Sequence, residues 1–368
     1  MRILAYLLLF TFAISCSPSS KSPEVKFLAL SDLIVDTLYL EKDTLTKILG
    51  SNFTYFATDS GKVLLTFNQY RLFTYSFPEG KILNSVAFEK EGPDGIGGFI
   101  SGNFIDESSI YFLSQQKELI ETDLNGRVLK RWNFPEVPEG RLYQNYSTYP
   151  FNRIQKSGDR LYFNDVPFVF RKEFADYDKW GIIFDLKTEQ FDYFHFRYPK
   201  DILNFLEDDQ LGLFSHVYNE LTDEHLISFS IMDSLLRTKG QNHSWHPAPT
   251  IEKLNFLKGR TSQRGEYTVF HPNHESSKYE SLDLAISSKK IIRTVRVKGP
   301  SLENPDQKKY KLIVLDYDLN KEAELDFNAD EMDSYGFNTP AGYIVRLHTE
   351  TTDDLVAFAV LDFSKINP

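Results

Sequence analysis

The chain has 368 residues, a formal net charge of −11 and 15% aromatic residues, with 31 Phe and 20 Tyr against 3 Trp and one cysteine. An acidic chain without a large basic cluster repels phosphate backbones, which argues against nucleic acid as a partner, and a lone cysteine leaves stability to packing alone. The length suits two ordinary domains or one large all-β domain, and the many aromatic side chains, which fit half-buried pleated surfaces, favour the second.

Met1 and Arg2 form a minimal basic head, residues 3–14 are almost wholly apolar, and Ala13-Ile14-Ser15 places small or modest side chains ahead of Cys16. This is the layout of an export signal over residues 1–15. An apolar run of about 12 residues rises only ~18 Å as a helix, short of the ~30 Å hydrocarbon core, so it does not read as a permanent transmembrane anchor. The run resembles the lipobox of bacterial lipoproteins, with Ala13 where that motif prefers leucine. The resemblance implies that Cys16 becomes the first residue after cleavage and carries acyl chains. These would hold the protein to the membrane of the cell envelope, with the outer membrane as the expected place. Residues 16–26 then form the lipidated cysteine and a short tether, polar throughout 17–24.

From Phe27 onward the chain breaks into short aromatic or β-branched runs separated by Gly, Pro, Asn and Asp, the texture of strands and turns. Residues 33–40 read as a first strand. Later runs share a phrase of apolar strand, turn and second apolar strand: 72–83 around Pro78-Glu79-Gly80, 119–129 around Asn125-Gly126, 182–196 around Lys187-Thr188-Glu189, and 312–327 around Leu319-Asn320-Lys321. The last such phrase, 356–363, stops before any return strand. A repeat of roughly 40 to 60 residues holding about four strands is the signature of propeller blades. The sequence therefore predicts an all-β propeller, a single domain over residues 27–368. Its six blades fall at about 50–90, 91–140, 141–200, 210–250, 260–330 and 331–366 with 27–42, and the strand at 33–40 closes the ring by completing the C-terminal blade. The long fifth stretch leaves seven blades as the alternative.

Several segments carry a family likeness: Cys16, the run Glu91-Gly92-Pro93-Asp94-Gly95-Ile96-Gly97, the strand Leu226-Ile227-Ser228-Phe229-Ser230, and the closing Gly342-Tyr343-Ile344 with Ala357-Phe358. Taken over nearly the whole mature chain, the sequence resembles the uncharacterised six-bladed β-propeller lipoproteins of Bacteroidota in the DUF4221 group. The resemblance implies a propeller at the cell envelope with no established activity.

Glycine-rich residues 91–99 are the first candidate site. Glycines there expose backbone N–H groups, and Glu91, Gly92, Pro93 and Asp94 would face a ligand at the mouth of a central channel; the competing reading is a tight crossing between blades. Tyr143, Tyr146, Tyr149 and Trp245 offer aromatic faces on which a glycan or a small amphipathic ligand stacks, unless they pack between blades. Two His-x-x-His pairs, His243 with His246 and His271 with His274, have the ligand types of a zinc site but read as lying in Pro-rich loops with no cysteine contributing, so no metal and no other cofactor is expected. Asp316-Tyr317-Asp318-Leu319-Asn320 begins like a calcium loop, but Lys321 and Phe327 stand where glycine and glutamate are required, which leaves a hairpin turn.

No nucleophile elbow, phosphate loop or sialidase-type repeat occurs, and no local carboxylate pair has a catalytic setting. The expectation is a non-enzymatic envelope lipoprotein whose propeller binds an unidentified ligand or protein partner. The alternative is a propeller hydrolase or lyase acting on extracellular polysaccharide, its acid and base drawn from different blades.

Overall fold

A computed structural model describes residues 25–366 apart from 45–48, 50–51, 60, 115–116, 140, 142–143, 147–150, 266 and 301–307. Cys16, Tyr143 and Tyr149 thus lie outside the described residues. The described chain opens with β1 (Lys26–Ala29), a helical turn at Leu30–Leu33, and β2 (Ile34–Glu41).

Six sheets follow in sequence order, each a blade. Blade 1 holds β3 (Thr54–Thr58), β4 (Gly61–Asn68), β5 (Arg71–Ser76) and β6 (Ile82–Ala87). Blade 2 holds β7 (Ile100–Ile105), β8 (Ser109–Ser114), β9 (Glu118–Asp123) and β10 (Val128–Asn133). Blade 3 holds β11 (Gln155–Ser157), β12 (Arg160–Asn164), β13 (Gly181–Asp185) and β14 (Gln190–Phe194). Blade 4 holds β15 (Phe214–Asn219), β16 (Glu224–Phe229), β17 (Ser234–Lys239) and β18 (Asn242–Pro247). A separate hairpin, β19 (Arg260–Arg264) with β20 (Tyr267–His271), precedes blade 5. Blade 5 holds β21 (Lys278–Ala285), β22 (Lys290–Lys298), β23 (Lys309–Leu315) and β24 (Lys321–Asn328), and blade 6 holds β25 (Met332–Thr339), β26 (Gly342–Leu347) and β27 (Leu355–Leu361).

The shared phrase in the sequence marks the third and fourth strands of a blade. In three of these hairpins, an aspartate at or just past the end of the third strand holds the turn: Asp123 Oδ1 accepts from the amides of Asn125 and Arg127, Asp185 Oδ1 from Lys187 and Thr188, and Asp316 Oδ1 from Asp318 and Asn320. Such side-chain to backbone bonds are what aspartate contributes to turns. Blade 6 lacks its fourth strand in sequence order, and β2 supplies it, pairing antiparallel with β27 from Ile34↔Leu361 to Glu41↔Leu355. The ring closes as the sequence predicts, with six blades. Two details differ from that reading: blade 5 begins at Lys278, the excess length of the 260–330 stretch being the hairpin β19–β20, and β1 joins the outer edge of blade 5 in parallel with β24 instead of belonging to blade 6.

The apolar core is divided into six wedges, one between each pair of neighbouring blades. A blade is therefore covered on both faces, and strands such as β8 and β16 are buried at every position instead of alternating. Polar groups interrupt this packing, and two of the inclusions join neighbouring blades. Arg293 on β22 is fully buried; its Nε donates to Ser228 Oγ (3.0 Å), and its Nη atoms donate to the carbonyls of Met232 (2.5 Å), Asp233 (3.1 Å) and Ala248 (3.0 Å), while the guanidinium lies 3.5 Å from the centre of the Tyr279 ring. Burial pulls its pKa down to about 10, so it remains a cation at neutral pH, clasping blade 4 to blade 5. Between blades 3 and 4, His216 Nε2 lies 2.9 Å from His225 Nδ1, and Asn164 Nδ2 lies 3.2 Å from His216 Nδ1. With the Asn164 amide donating, the His216 proton resides on Nε2 and is shared with His225, both rings neutral. Phe194 stacks on His225 at 4.0 Å.

Two outcomes follow from these inclusions. Arg293→Ala takes a donor from three carbonyls, of which only that of Asp233 keeps another among the described residues, the Ala248 amide at 2.9 Å, and leaves a cavity; it is expected to lower stability by about 3 kcal/mol, read from the denaturant midpoint. Burial lowers His225 to about 4 and His216 well below the ordinary imidazole range. The unfolded rings bind protons that the folded ones refuse, so stability rises with pH between about 4 and 6.5. His225 alone accounts for about 3 kcal/mol of that loss on acidification. His225→Gln should flatten the slope of unfolding free energy against pH in that window.

Candidate functional site

The inner strands β3, β7, β11, β15, β21 and β25 surround the propeller axis, and two cavities lie along it. The first, about 510 Å³, is lined by Asn52, Gln69, Phe99, Asn103, Arg153 and Tyr335 among others. The second, about 450 Å³, is lined by Tyr55, Phe104, Ile154, Ile286 and Asn338, and shares Asn52 and Arg153 with the first. Arg153 is aimed at the axis by its neighbours in sequence. The Phe151 carbonyl accepts from Ser215 Oγ (2.6 Å), Asn152 Nδ2 donates to the Phe214 carbonyl (2.6 Å), and Asn152 Oδ1 accepts from the His216 amide (3.0 Å), so residues 151–152 are stapled to β15. On the other side, Ile154 is buried in the wedge between blades 2 and 3. The side chain between those anchors has only the channel to enter.

Arg153 Nη2 stands 3.8 Å from Asp283 Oδ2, too far for a hydrogen bond, and the guanidinium lies 5.7 Å from the centre of the Tyr335 ring. Asp283 already has stronger partners. Its Oδ2 accepts from the Tyr343 hydroxyl at 2.6 Å and its Oδ1 from the Leu284 amide at 2.9 Å, while the Tyr343 hydroxyl accepts from the Gly336 amide at 2.6 Å. Burial, reinforced by the Asp283 charge, raises the Tyr343 phenol well above its usual value and keeps it a donor. Arg153 Nη2 is buried with no hydrogen-bond partner among the described residues. The arrangement presents a fixed cation with spare N–H donors to a cavity lined by amides and aromatic rings. Among the described lining residues of the two cavities none is Asp or Glu, so the paired carboxylates of glycosidic hydrolysis are not met there.

Residues 91–99 do not lie at the mouth as a unit. The chain must travel from the outer strand β6 to the inner strand β7, and the glycine-rich half occupies the outer end of that path. Asp94 Oδ1 accepts from the Val128 amide on β10 (2.9 Å), Arg131 Nη2 donates to the Gly95 carbonyl (2.5 Å), and Gly92 and Gly97 have φ of +92° and +95°. Glu91, Gly92, Pro93 and Asp94 thus sit at the rim of blade 2, and Gly98 and Phe99 reach the first cavity. Tyr146 is buried in the wedge between blades 2 and 3, 4.2 Å from Phe134 between ring centres. His243 and His246 lie on β18, not in a loop, and three residues apart on a strand they point to opposite faces. His271 ends β20 and His274 follows it; among the described residues no group of three or more His, Cys, Asp and Glu side chains is placed to hold a metal ion.

Trp245 is 43% exposed and tilts against buried Phe229 at 5.9 Å. With His243 it lines a groove of about 250 Å³ at the rim between blades 3 and 4, opposite Asp178, His195 and Arg197, floored by Phe196 and Leu236. Asp178 Oδ1 lies 3.4 Å from His195 Nδ1. Arg153, Asp283 and the His216–His225 pair escaped the sequence reading because each sits in an ordinary strand or strand lead.

The fold has counterparts. A crystal structure of a DUF4221 member from Bacteroides vulgatus superposes with a TM-score of 0.71 at 17% identity, covering 90% of this chain and 97% of that one. A putative exported protein from Bacteroides fragilis superposes with a TM-score of 0.55 at 10% identity, covering 92% and 98%. No protein of curated function matches the chain in sequence. The family model described as a domain of unknown function, DUF4221, matches residues 25–326. That match spans well over half of the sequence, and the chain belongs to the DUF4221 family.

Proposed function

We propose that this chain is a binding lipoprotein of the cell envelope, held to the membrane by acyl chains on Cys16 and taking a small polar ligand in the channel of its propeller. The observation that carries the binding half is Arg153, whose Nη2 is buried without a hydrogen-bond partner among the described residues, at the boundary of two cavities. A guanidinium held this way favours a ligand with a carboxylate or a similar set of acceptor oxygens. Asp283, 3.8 Å from Arg153 Nη2, offsets part of its charge but accepts its hydrogen bonds from Tyr343 and Leu284, so the buried Nη2 donors are left for a ligand. Support for the anchor is the placement of the lone cysteine after an apolar run and before a polar tether.

Each half has its own test. Metabolic labelling with a clickable palmitate analogue should mark the wild type and not Cys16→Ser, and the variant should leave the membrane fraction; equal labelling of both removes the anchor from this reading. For the channel, the purified protein is melted with glucuronate, galacturonate or citrate, with glucose as the neutral control. Stabilisation by about 2.7 kcal/mol at a hundredfold excess over the dissociation constant appears as a rise of several degrees in Tm. At least one acid should give it, and Arg153→Gln should abolish it; a flat response to all three acids counts against the channel as an acid-binding site.

A further inference from the structure

We infer that the rim groove at Trp245 is a second binding site, for one ring of a neutral polysaccharide, independent of the channel. A pyranose has an apolar face of C–H groups and an edge of hydroxyls that both donate and accept, so it needs a flat apolar surface bordered by mixed polar groups. The groove has that composition. The indole of Trp245 is backed by Phe229 and held at a fixed tilt, which leaves its outer face to solvent, and Leu236 sits directly across the strand pair from it. Aromatic rings with one packed and one open face bury large apolar area on binding at little entropic expense.

The border supplies both hydrogen-bonding senses. Asp178 accepts, Arg197 donates, and the imidazoles of His195 and His243 complete the set on the two sides of the groove. Asp178 is positioned by the backbone, since the amide of Phe196 donates to its carbonyl at 3.0 Å, and its carboxylate lies 3.4 Å from His195 Nδ1. One acid and one guanidinium cancel locally, so the groove selects for a neutral ring and not for a sugar acid, in contrast to the channel. A volume of about 250 Å³ falls below the ~300 Å³ at which sites for whole drug-sized ligands begin, and the groove opens on the rim, so it suits a single residue of a longer chain whose remainder lies in solvent.

The sequence supports the same division. Of the four aromatic residues singled out for sugar stacking, the two within the described residues have separated: Tyr146 is core and Trp245 is surface. Trp132, on the outer strand of blade 2, packs against Phe184 in the wedge, whereas Trp245, on the outer strand of blade 4, stays 43% exposed.

The test is a ligand-observed NMR titration of the full chain with maltohexaose, laminarihexaose and mannohexaose. For one ring in contact, the dissociation constant is expected on the order of 1 mM. At least one hexaose should show saturable binding, weakened at least tenfold by Trp245→Ala and by Asp178→Asn, and largely kept by Trp245→Tyr. Trp245 is half in solvent, so the alanine variant should melt with the wild type; if it does not, Asp178→Asn and Trp245→Tyr decide alone. Absence of saturation for all three sugars at ten times that concentration, or unchanged binding in Asp178→Asn and Trp245→Ala, overturns the inference.

Discussion

Every blade of this protein has two apolar faces, and that is the constraint from which the rest follows. A sheet buried on both sides cannot end a stack without leaving one face in water, so six blades are stable only as a closed ring. Closure falls to β2, which pairs with β27 and packs Leu38 and Leu40 into the wedge between blades 6 and 1. The N-terminal strand is thus shared stability: without it, both blade 6 and its contact with blade 1 lose their cover.

A closed ring also dictates where chemistry accumulates. Each connection runs from the outer strand of one blade to the inner strand of the next, so its first residues lie at the rim and its last at the axis. The same path length explains why Asp94 caps the outer strand β10 while Phe99, five residues on, lines the channel. It also explains Arg153, which stands at the inner end of its connection between an Asn152 stapled to blade 4 and an Ile154 sunk between blades 2 and 3. Rigid neighbours leave the guanidinium little freedom, and a cation that does not have to be ordered on binding retains more of its interaction energy.

The fold was legible in the sequence because its repeating element is local. The strand, the aspartate-held turn and the return strand lie within about 16 residues of one another, and the unpaired phrase at 356–363 announced the missing strand. The site was less legible because its geometry is radial. Glycine content drew attention to residues 91–99, yet glycine reports backbone conformation and not distance from the axis. Arg153 lies in a stretch, Phe151-Asn152-Arg153-Ile154, with no pattern of its own, and its role emerges only from contacts with residues more than 60 positions away. His216 and His225 are nine positions apart in two strands that mix apolar residues with Ser215, Asn219, Glu224 and Ser228, a spacing that says nothing until the hairpin brings them together. Trp245 was legible as an aromatic with an uncertain neighbourhood, and the pairing of β18 with β17 fixed which face it shows.

The route by which the chain enters the ring has an orientational consequence. Lys26 pairs with Ala323 near the start of β24, and the start of β24 lies on the face that carries the third-to-fourth strand turns; Ile366 lies there too, its carbonyl accepting from Lys26 Nζ. The connections that lead into the inner strands, Asn52 and Arg153 among them, gather on the opposite face. The described chain therefore begins at the underside of the disc, at its edge, which is where the tether proposed from Cys16 would attach. Ten residues of extended chain reach at most ~36 Å, comparable to the width of the body they would hold. A disc moored in this way at a surface would turn its connection-bearing face outward and its hairpin-turn face toward the mooring.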